Sequence, residues 1–451
     1  MMPVSFPPEF EKRMQVILKD EWESFVKTHQ SASPTSIRIN PHKTKSWNEN
    51  KIPWTDFGYY LKERPAFTFD PLFHAGTYYV QEPSSMLLEQ VIKQTLDVSI
   101  PLRVLDLCGA PGGKSTHLLS LLTKDSLLVS NEVIRSRAQV LAENVVKWGC
   151  SNVVVSNNDP EVFQRLPGFF DLIVVDAPCS GEGLFRKDPG AMQEWSTDHT
   201  TLCSHRQRRI LKDVWPALKE NGILIYSTCT YNPDENENNL TWLAQQESIQ
   251  QIPIKLNPDW KVEPVVAGNL IGYQCFPHAV LGEGFFFAAV RKSSQQTEIK
   301  IRTGKSFHLA SKKIVEKLSS WVLCPEHFCI IQQQDLLLLL PAERFDEFNF
   351  LSQQLHVVSK GTAMAEIKHE KLIPEHSLAL SIHLNKLKFI SFELSLEQAL
   401  TYLRKETLNQ LDTEKGFALV TYQNHPLGWI NRLGNRINNL YPAAWRIRQA
   451  G

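Results

Sequence analysis

Between Asp97 and about Arg291, short apolar runs alternate with amphipathic stretches, and few architectures accept that alternation. Strands are expected at Arg103–Leu107, Leu127–Asn131, Val153–Ser156, Asp171–Asp176 and Gly222–Ser227. Helices fit between them at about Lys114–Leu122, Ile134–Trp148 and Thr201–Lys219, and two later runs, around Gly272–Phe276 and Gly284–Val290, suit a hairpin-like edge. Repeated βαβ units bury a mainly parallel sheet between layers of helices, so the expected fold class is α/β and doubly wound, that is, Rossmann-like. Ligands of such sheets sit beyond the carboxyl ends of the strands. The chemistry is therefore sought in whatever follows each strand.

A chain of 451 residues suggests two or three domains. Composition divides it into 1–96, 97–292 and 299–451, with the Ser- and Gln-rich stretch Lys292–Glu298 expected as a linker. In the first region helical patterns flank a polar loop around Pro41–Phe57, and Gln81–Val91 reads as a capped helix. Glu9, Glu11 and Asp20 make the N-terminus unlike a signal peptide. No apolar run approaches the roughly 18 residues of a membrane helix, and the leucines Leu336–Leu340, closed by Pro341, read as a buried strand. Eight scattered cysteines suit a reducing cytoplasm rather than a disulfide framework. Forty-eight Lys and Arg balance forty-eight Asp and Glu, which rules out a strongly basic nucleic-acid coat but leaves room for local basic faces.

The first strand runs into DLCGAPGGKST, Asp106 to Thr116. Gly109, Gly112 and Gly113 let backbone approach a ligand, and the helix that follows offers free N–H groups to an anion. A phosphate-binding GxxxxGK[ST] loop is not formed, because Cys108 stands where its first glycine belongs. Glu132 follows the second strand at the distance suited to a ribose diol, though it also suits a solvated helix start, exposed at the strand end. Asp159 follows the third strand, as a ligand group or as an Asx turn before Pro160. The fourth strand leads into DAPCSGEGLFRKDP, with Asp176 at its end and Cys179 on a rigid Pro-Cys turn, and the fifth into YSTCTYNPDENE with Cys229. One such cysteine reads as a small core residue. Two at adjacent strand ends, facing a nucleoside-bearing ligand, read as chemistry.

These motifs, in this order, resemble the Nop/Sun family of S-adenosylmethionine-dependent RNA cytosine-C5 methyltransferases. The family loop CAAPGGKT appears here as CGAPGGKS, with the glycines and Lys114 intact. SIRINP (Ser36–Pro41) and HAGTYYVQEPSS (His74–Ser85) are similar to the family's N-terminal RNA-binding part, and HPLGWINRLGNRINNLYP (His425–Pro442) is similar to the C-terminal part of RsmF-type ribosomal RNA methyltransferases. The resemblance implies a class I methyltransferase domain between an N-terminal α+β RNA-binding region and a C-terminal α+β, PUA-like region. It implies S-adenosylmethionine as cofactor, with Cys108, Gly109, Ala110, Pro111, Gly112, Gly113 and Lys114 around the methionine end, Glu132 on the ribose, Asp159 at the adenine, and Asp176 bordering cofactor and target base. Cys229 then corresponds to the nucleophile and Cys179 to the thiol that assists product release, with Asp176 and Lys114 supporting the base. The implied partner is RNA, small-subunit ribosomal RNA above all, acted on by a cytoplasmic monomer.

With no global positive charge, RNA handling has to come from patches. Arg432, Arg436, Arg446 and Arg448 interleaved with Trp429, Tyr441 and Trp445 suit phosphate contacts and base stacking, or else a solvated face over core aromatics. His205, Arg206, Arg208 and Arg209 make a second candidate rim. Cys324, His327 and Cys329 lack a further ligand pair, so no metal is expected. Other readings stay open at this level. A DNA cytosine-C5 methyltransferase also has a Pro-Cys nucleophile, a P-loop hydrolase would use GGKS and LIVVD, and a transfer RNA methyltransferase or a non-catalytic assembly factor would share the fold.

Overall fold

The computed structural model describes residues 5–302, 307–408, 415–433 and 436–449, and Gly434 and Asn435 of the C-terminal motif lie outside them. Five parallel strands form the centre of a ten-stranded sheet: Arg103–Asp106, Leu127–Asn131, Val153–Ser156, Phe170–Asp176 and Leu218–Thr228. Their spatial order is fifth, fourth, first, second, third. The order reverses between the first and fourth strands, and the crevice that opens at such a reversal is where a doubly wound sheet binds its ligand. The expected edge is present as antiparallel strands Glu263–Ala267, Leu270–Cys275 and Phe285–Lys292 beside the fifth strand. Leu105, Val129, Ile173 and Leu224 bury one face of the sheet, and Val104, Leu128, Leu172 and Ile225 the other. Such double burial is why these strands read as continuous apolar runs.

Three local expectations require correction. The helix before the fifth strand spans Thr197–Val214: Ser196 caps it by accepting from His199 N–H, and Pro216, which has no N–H to give, stops it before Lys219. Gln81 and Glu82 are not helical; the Glu82 carboxylate accepts from Ser84 N–H and Ser85 N–H ahead of a short turn and the helix Leu88–Thr95. Lys292 is no linker residue but ends the last strand, buried, with Nζ donating to the carbonyls of Trp215 and Leu218. Past it the chain stays docked, Ile299 N–H donating to Pro167 O at 2.8 Å.

The N-terminal helices Pro8–Leu18 and Trp22–His29 pack Phe10 and Phe25 against Phe185 and Tyr231 of the central region. The adjoining sheet, Gly58–Leu61, Thr35–Ile39 and Tyr78–Val80, sends Arg38 into the interior. There its guanidinium donates to Gln81 Oε1 (2.8 Å), Thr116 Oγ1 (2.6 Å) and Gly113 O (3.2 Å), tying this sheet to the helix after the glycine turn.

Beyond residue 299 the chain builds a five-stranded sheet, in which Leu336–Pro341 is the expected buried strand, and a four-stranded sheet of Ser391–Glu393, Gly416–Tyr422, His425–Leu433 and Arg436–Asn439. Between them, Val357–Lys360 leaves to pair antiparallel with Val153–Ser156, so the third region completes the edge of the central sheet. Trp429 and Tyr441 are core residues, with Trp429 Nε1 donating to Glu375 O, and the base-stacking reading of these two rings is withdrawn. The half-buried Trp445 packs edge-on against His376, and Arg436, Arg446 and Arg448 are exposed. Among the described residues no helix is long and apolar enough to cross a membrane.

Candidate active site

Leu107 to Gly112 turn sharply over the switch point. Gly112 takes φ +118° just before the helix Gly113–Leu121, and at Gly109 a Cβ would lie 2.5 Å from Ser130 Oγ. Neither position accepts a side chain without displacement. The turn is held from behind by Arg137, which donates to Ala110 O (3.0 Å), and by Asn144, which donates to Pro111 O (2.7 Å). Beneath it Asp106 is buried: Ser115 Oγ donates to its Oδ2 at 2.6 Å while Oδ1 has no partner. Burial pushes this carboxyl up to about 7.

Glu132 sits at the second strand end, but it is buried, not exposed as the sequence suggested. Its Oε1 accepts Ile134 N–H (2.9 Å), and Arg137 stands 3.7 Å from Oε2. Asp159 is half-buried: both its oxygens accept from Arg209 at 3.1 Å, and Oδ1 also caps Glu161 N–H. Arg209, read as part of an RNA rim, is thus committed to this pair, and Arg208 donates to Asn239 Oδ1; His205 and Arg206 remain exposed.

Cys179 and Cys229 meet across the ends of the fourth and fifth strands, Sγ to Sγ 3.1 Å, both free thiols. Cys229 N–H donates to Cys179 Sγ at 3.3 Å. The hydrogen bond to Cys229, then burial, raises Cys179 well above the ordinary thiol range; between the two sulfurs either can be the donor. On the same crevice Lys114 Nζ lies 2.8 Å from Asp176 Oδ2, and Ser227 Oγ donates to Oδ1 at 2.9 Å. Burial alone would lower Lys114, but the Asp176 carboxylate more than offsets it and the ammonium is raised above its usual value. The structure therefore gathers Lys114, Asp176, Cys179 and Cys229 at one place, with the glycine turn and Glu132 beside them.

Glu235, six residues past Cys229, was not singled out in the sequence, although it lies in the acidic run after that motif. It is buried, accepts from Ser180 N–H (2.9 Å), Ser180 Oγ–H and Gln207 Nε2–H (2.9 Å), and so fixes the turn carrying Cys179. Burial pushes its carboxyl from 4.5 up to about 7 despite these donors. The folded state binds a proton here that the unfolded chain releases, so stability falls as pH rises from about 4.5 to 7 and is level above that. Glu235→Gln removes this dependence. The stability gap between variant and parent should shift in the variant's favour across that window, by at most about 3 kcal/mol. Denaturation curves that keep a constant gap from pH 4.5 to 7 would show that this carboxyl does not carry the shift.

A protein-family model described as 16S rRNA methyltransferase RsmB/F matches residues 93–291. The N-terminal domain of 16S rRNA methyltransferase RsmF matches residues 6–83, and the methyltransferase RsmF PUA domain matches residues 389–447. Ribosomal RNA small subunit methyltransferase F of Salmonella typhi is 32% identical over 479 aligned positions, covering 97% of this chain and 96% of that one. The Citrobacter koseri protein of the same name is 30% identical over 476 positions, with the same coverage. Among solved structures, a methyltransferase homolog from Pyrococcus horikoshii superposes with a TM-score of 0.51 at 26% identity, covering 60% of this chain and 91% of that one. NSun6 from the same organism, solved with SFG, gives 0.55 at 19% identity over 64% of this chain and 99% of its own, a likeness of fold.

Proposed function

Because the chain belongs to the RsmF-type family of 16S ribosomal RNA methyltransferases, we propose that it methylates C5 of a cytosine in small-subunit ribosomal RNA through a covalent bond from Cys229 to C6 of the base. The observation that carries this reading is the pair of free thiols, 3.1 Å apart, beside the Lys114–Asp176 ion pair. Cytosine C5 is a weak nucleophile. Adding the Cys229 thiolate to C6 converts the ring into an enamine whose C5 is reactive, dividing one hard step into easier ones. The base has to leave any stacked structure to reach the crevice.

S-adenosylmethionine fits the residues present. The glycine turn, Cys108 to Lys114, offers a helix N-terminus to a carboxylate, and the unpaired Asp106 Oδ1 beneath it suits a site with a cationic amino group. Glu132 Oε2 is left for a ribose hydroxyl; Asp159 serves the adenine by sharing Arg209. The cofactor, when bound, supplies an electrophilic methyl group on a positively charged sulfur. Asp176 accepts from the cytosine N4 amino group, and the Lys114 cation supports the negative charge that thiolate addition brings to the ring. A base takes the C5 proton, the electrons of the C5–H bond re-form the C5–C6 double bond, and the C6–Sγ bond breaks with its pair returning to Cys229. Cys179, whose thiol is raised by its hydrogen bond to Cys229 and by burial, donates its S–H to the departing sulfur. The same reading makes the chain a cytoplasmic monomer.

Incubation with radiolabelled S-adenosylmethionine and small-subunit ribosomal RNA, transfer RNA or DNA, followed by nuclease digestion, tests the proposal. C5-methylcytosine should appear in the ribosomal RNA digest. Label confined to transfer RNA or DNA, or to another nucleoside, would refute it.

A further inference from the structure

Between the N-terminal sheet and the central region lies a cavity of about 620 Å³ that the reaction above does not use. Ser33, Lys62, Arg64, Glu82, Arg186, Lys187 and Glu283 line it. Glu283 is 3% exposed, and the Ser33 hydroxyl is the one hydrogen-bonding group that bears on its carboxylate among the described residues; neither oxygen has a partner in good geometry. Arg186 Nη1 stands 3.9 Å from Oε1, beyond hydrogen-bond distance, while the guanidinium donates to the carbonyls of Ser31, Ala32 and Gly282. A buried carboxylate with charge compensation and so few donors is uncommon in folded proteins.

The position is built, not accidental. Glu283 N–H donates to Glu82 Oε1 at 2.8 Å, and Ser84 Oγ donates to Glu283 O at 3.0 Å, which fixes the backbone that carries the acid. The next residue, Gly284, packs so tightly on Gly183 that a Cβ on Gly183 would lie 2.6 Å from Gly284 O and 2.8 Å from Cys229 O. The cavity is thus one residue along the chain from backbone that abuts the nucleophile. Lys62, Arg64 and Lys187 are exposed at its mouth.

We propose that this cavity takes an unpaired guanine near the target cytosine, with Glu283 accepting from its N1–H and N2–H groups and the rim cations holding the flanking phosphates. The inference rests on the reading of the chain as an RNA methyltransferase. Two acceptors side by side select among bases by donor pattern. Guanine alone offers two adjacent donors on its pairing edge; adenine and cytosine set one amino group beside an acceptor nitrogen, and uracil sets one imino group between two carbonyls. Burial pushes the Glu283 carboxyl up, and two such donors are what return a buried acid to its anion.

The test uses the full chain and fluorescein-labelled 12-nucleotide RNAs containing one cytosine, with guanosine, inosine or adenosine at each of the two positions on either side. Inosine keeps N1–H and loses the N2 amino group. At one position inosine should weaken binding to the parent about tenfold, whereas Glu283→Gln should bind guanosine and inosine RNAs within twofold of each other. Lys62→Ala with Lys187→Ala should weaken both RNAs equally and flatten the salt dependence. Unchanged cofactor affinity by calorimetry checks that each variant is folded. A parent that does not discriminate at any position, a Glu283→Gln variant that keeps the preference, or an unchanged salt slope in the lysine variant would overturn the assignment. Methylation is read separately: discrimination without methyl transfer counts against the proposed reaction alone, and methyl transfer without discrimination against the cavity alone.

Discussion

Cys229→Ser should abolish methyl transfer, by a factor of about 10⁴ or more, and should leave no protein bonded to RNA. Cys179→Ala should behave differently: given cofactor and RNA it should accumulate a denaturant-resistant protein–RNA complex, because the C6–Sγ bond forms but its cleavage is no longer assisted. The double variant should form none. The asymmetry follows from the two proposed roles. The two sulfurs are 3.1 Å apart, and the proposed roles give Cys229 the attack on C6 and Cys179, raised by its hydrogen bond to Cys229 and by burial, the proton for the departing sulfur. Gel electrophoresis under denaturing conditions decides the matter. An adduct in Cys229→Ser that disappears in Cys179→Ala would move the nucleophile to the Pro-Cys turn, and full activity in both variants would exclude a covalent route.

Asp176→Asn should lower the single-turnover methylation rate by about 10² to 10⁴. The substitution keeps the shape of the side chain and a partner for Ser227 Oγ, while removing the charge that faces Lys114. If Asp176 supports thiolate addition, the rate falls while RNA affinity changes little, since the interaction grows as the adduct forms. A variant with the parent's rate and only weaker RNA binding would reduce Asp176 to a contact residue.

The parts of this architecture that could be read from the chain are those written in local patterns. Leu127–Asn131 and Val153–Ser156 occur as the sequence delimits them, since each is a short apolar run closed by polar turn residues. The strand-end residues were legible for the same reason: a motif beside a strand is carried to the sheet's carboxyl edge by the fold class alone. What was illegible depends on partners distant in sequence. Arg38 reads as an ordinary surface charge until Thr116 and Gly113 surround it, and Glu235 as part of a polar run until Ser180 and Gln207 turn to face it. Glu132 was expected in solvent because nothing local shows that a neighbouring strand end covers it. Trp429 and Tyr441 look like a stacking platform from composition, but Trp429 packs into the core between the two C-terminal sheets and Tyr441 packs against Tyr402, contacts distant in sequence.

The strand Val357–Lys360 bears on how the molecule is made. It pairs with Val153–Ser156, some 200 residues earlier. At the ordinary pace of synthesis that separation is roughly 10–40 s of elongation, during which the outermost parallel strand has its full row of N–H and C=O groups uncovered. An open edge of this kind recruits other chains. The C-terminal region is therefore more than an appendage for gripping substrate. Its arrival ends the period in which a nascent chain can pair with the wrong neighbour, and a messenger truncated before codon 357 yields a product whose catalytic half is whole in sequence but unsealed.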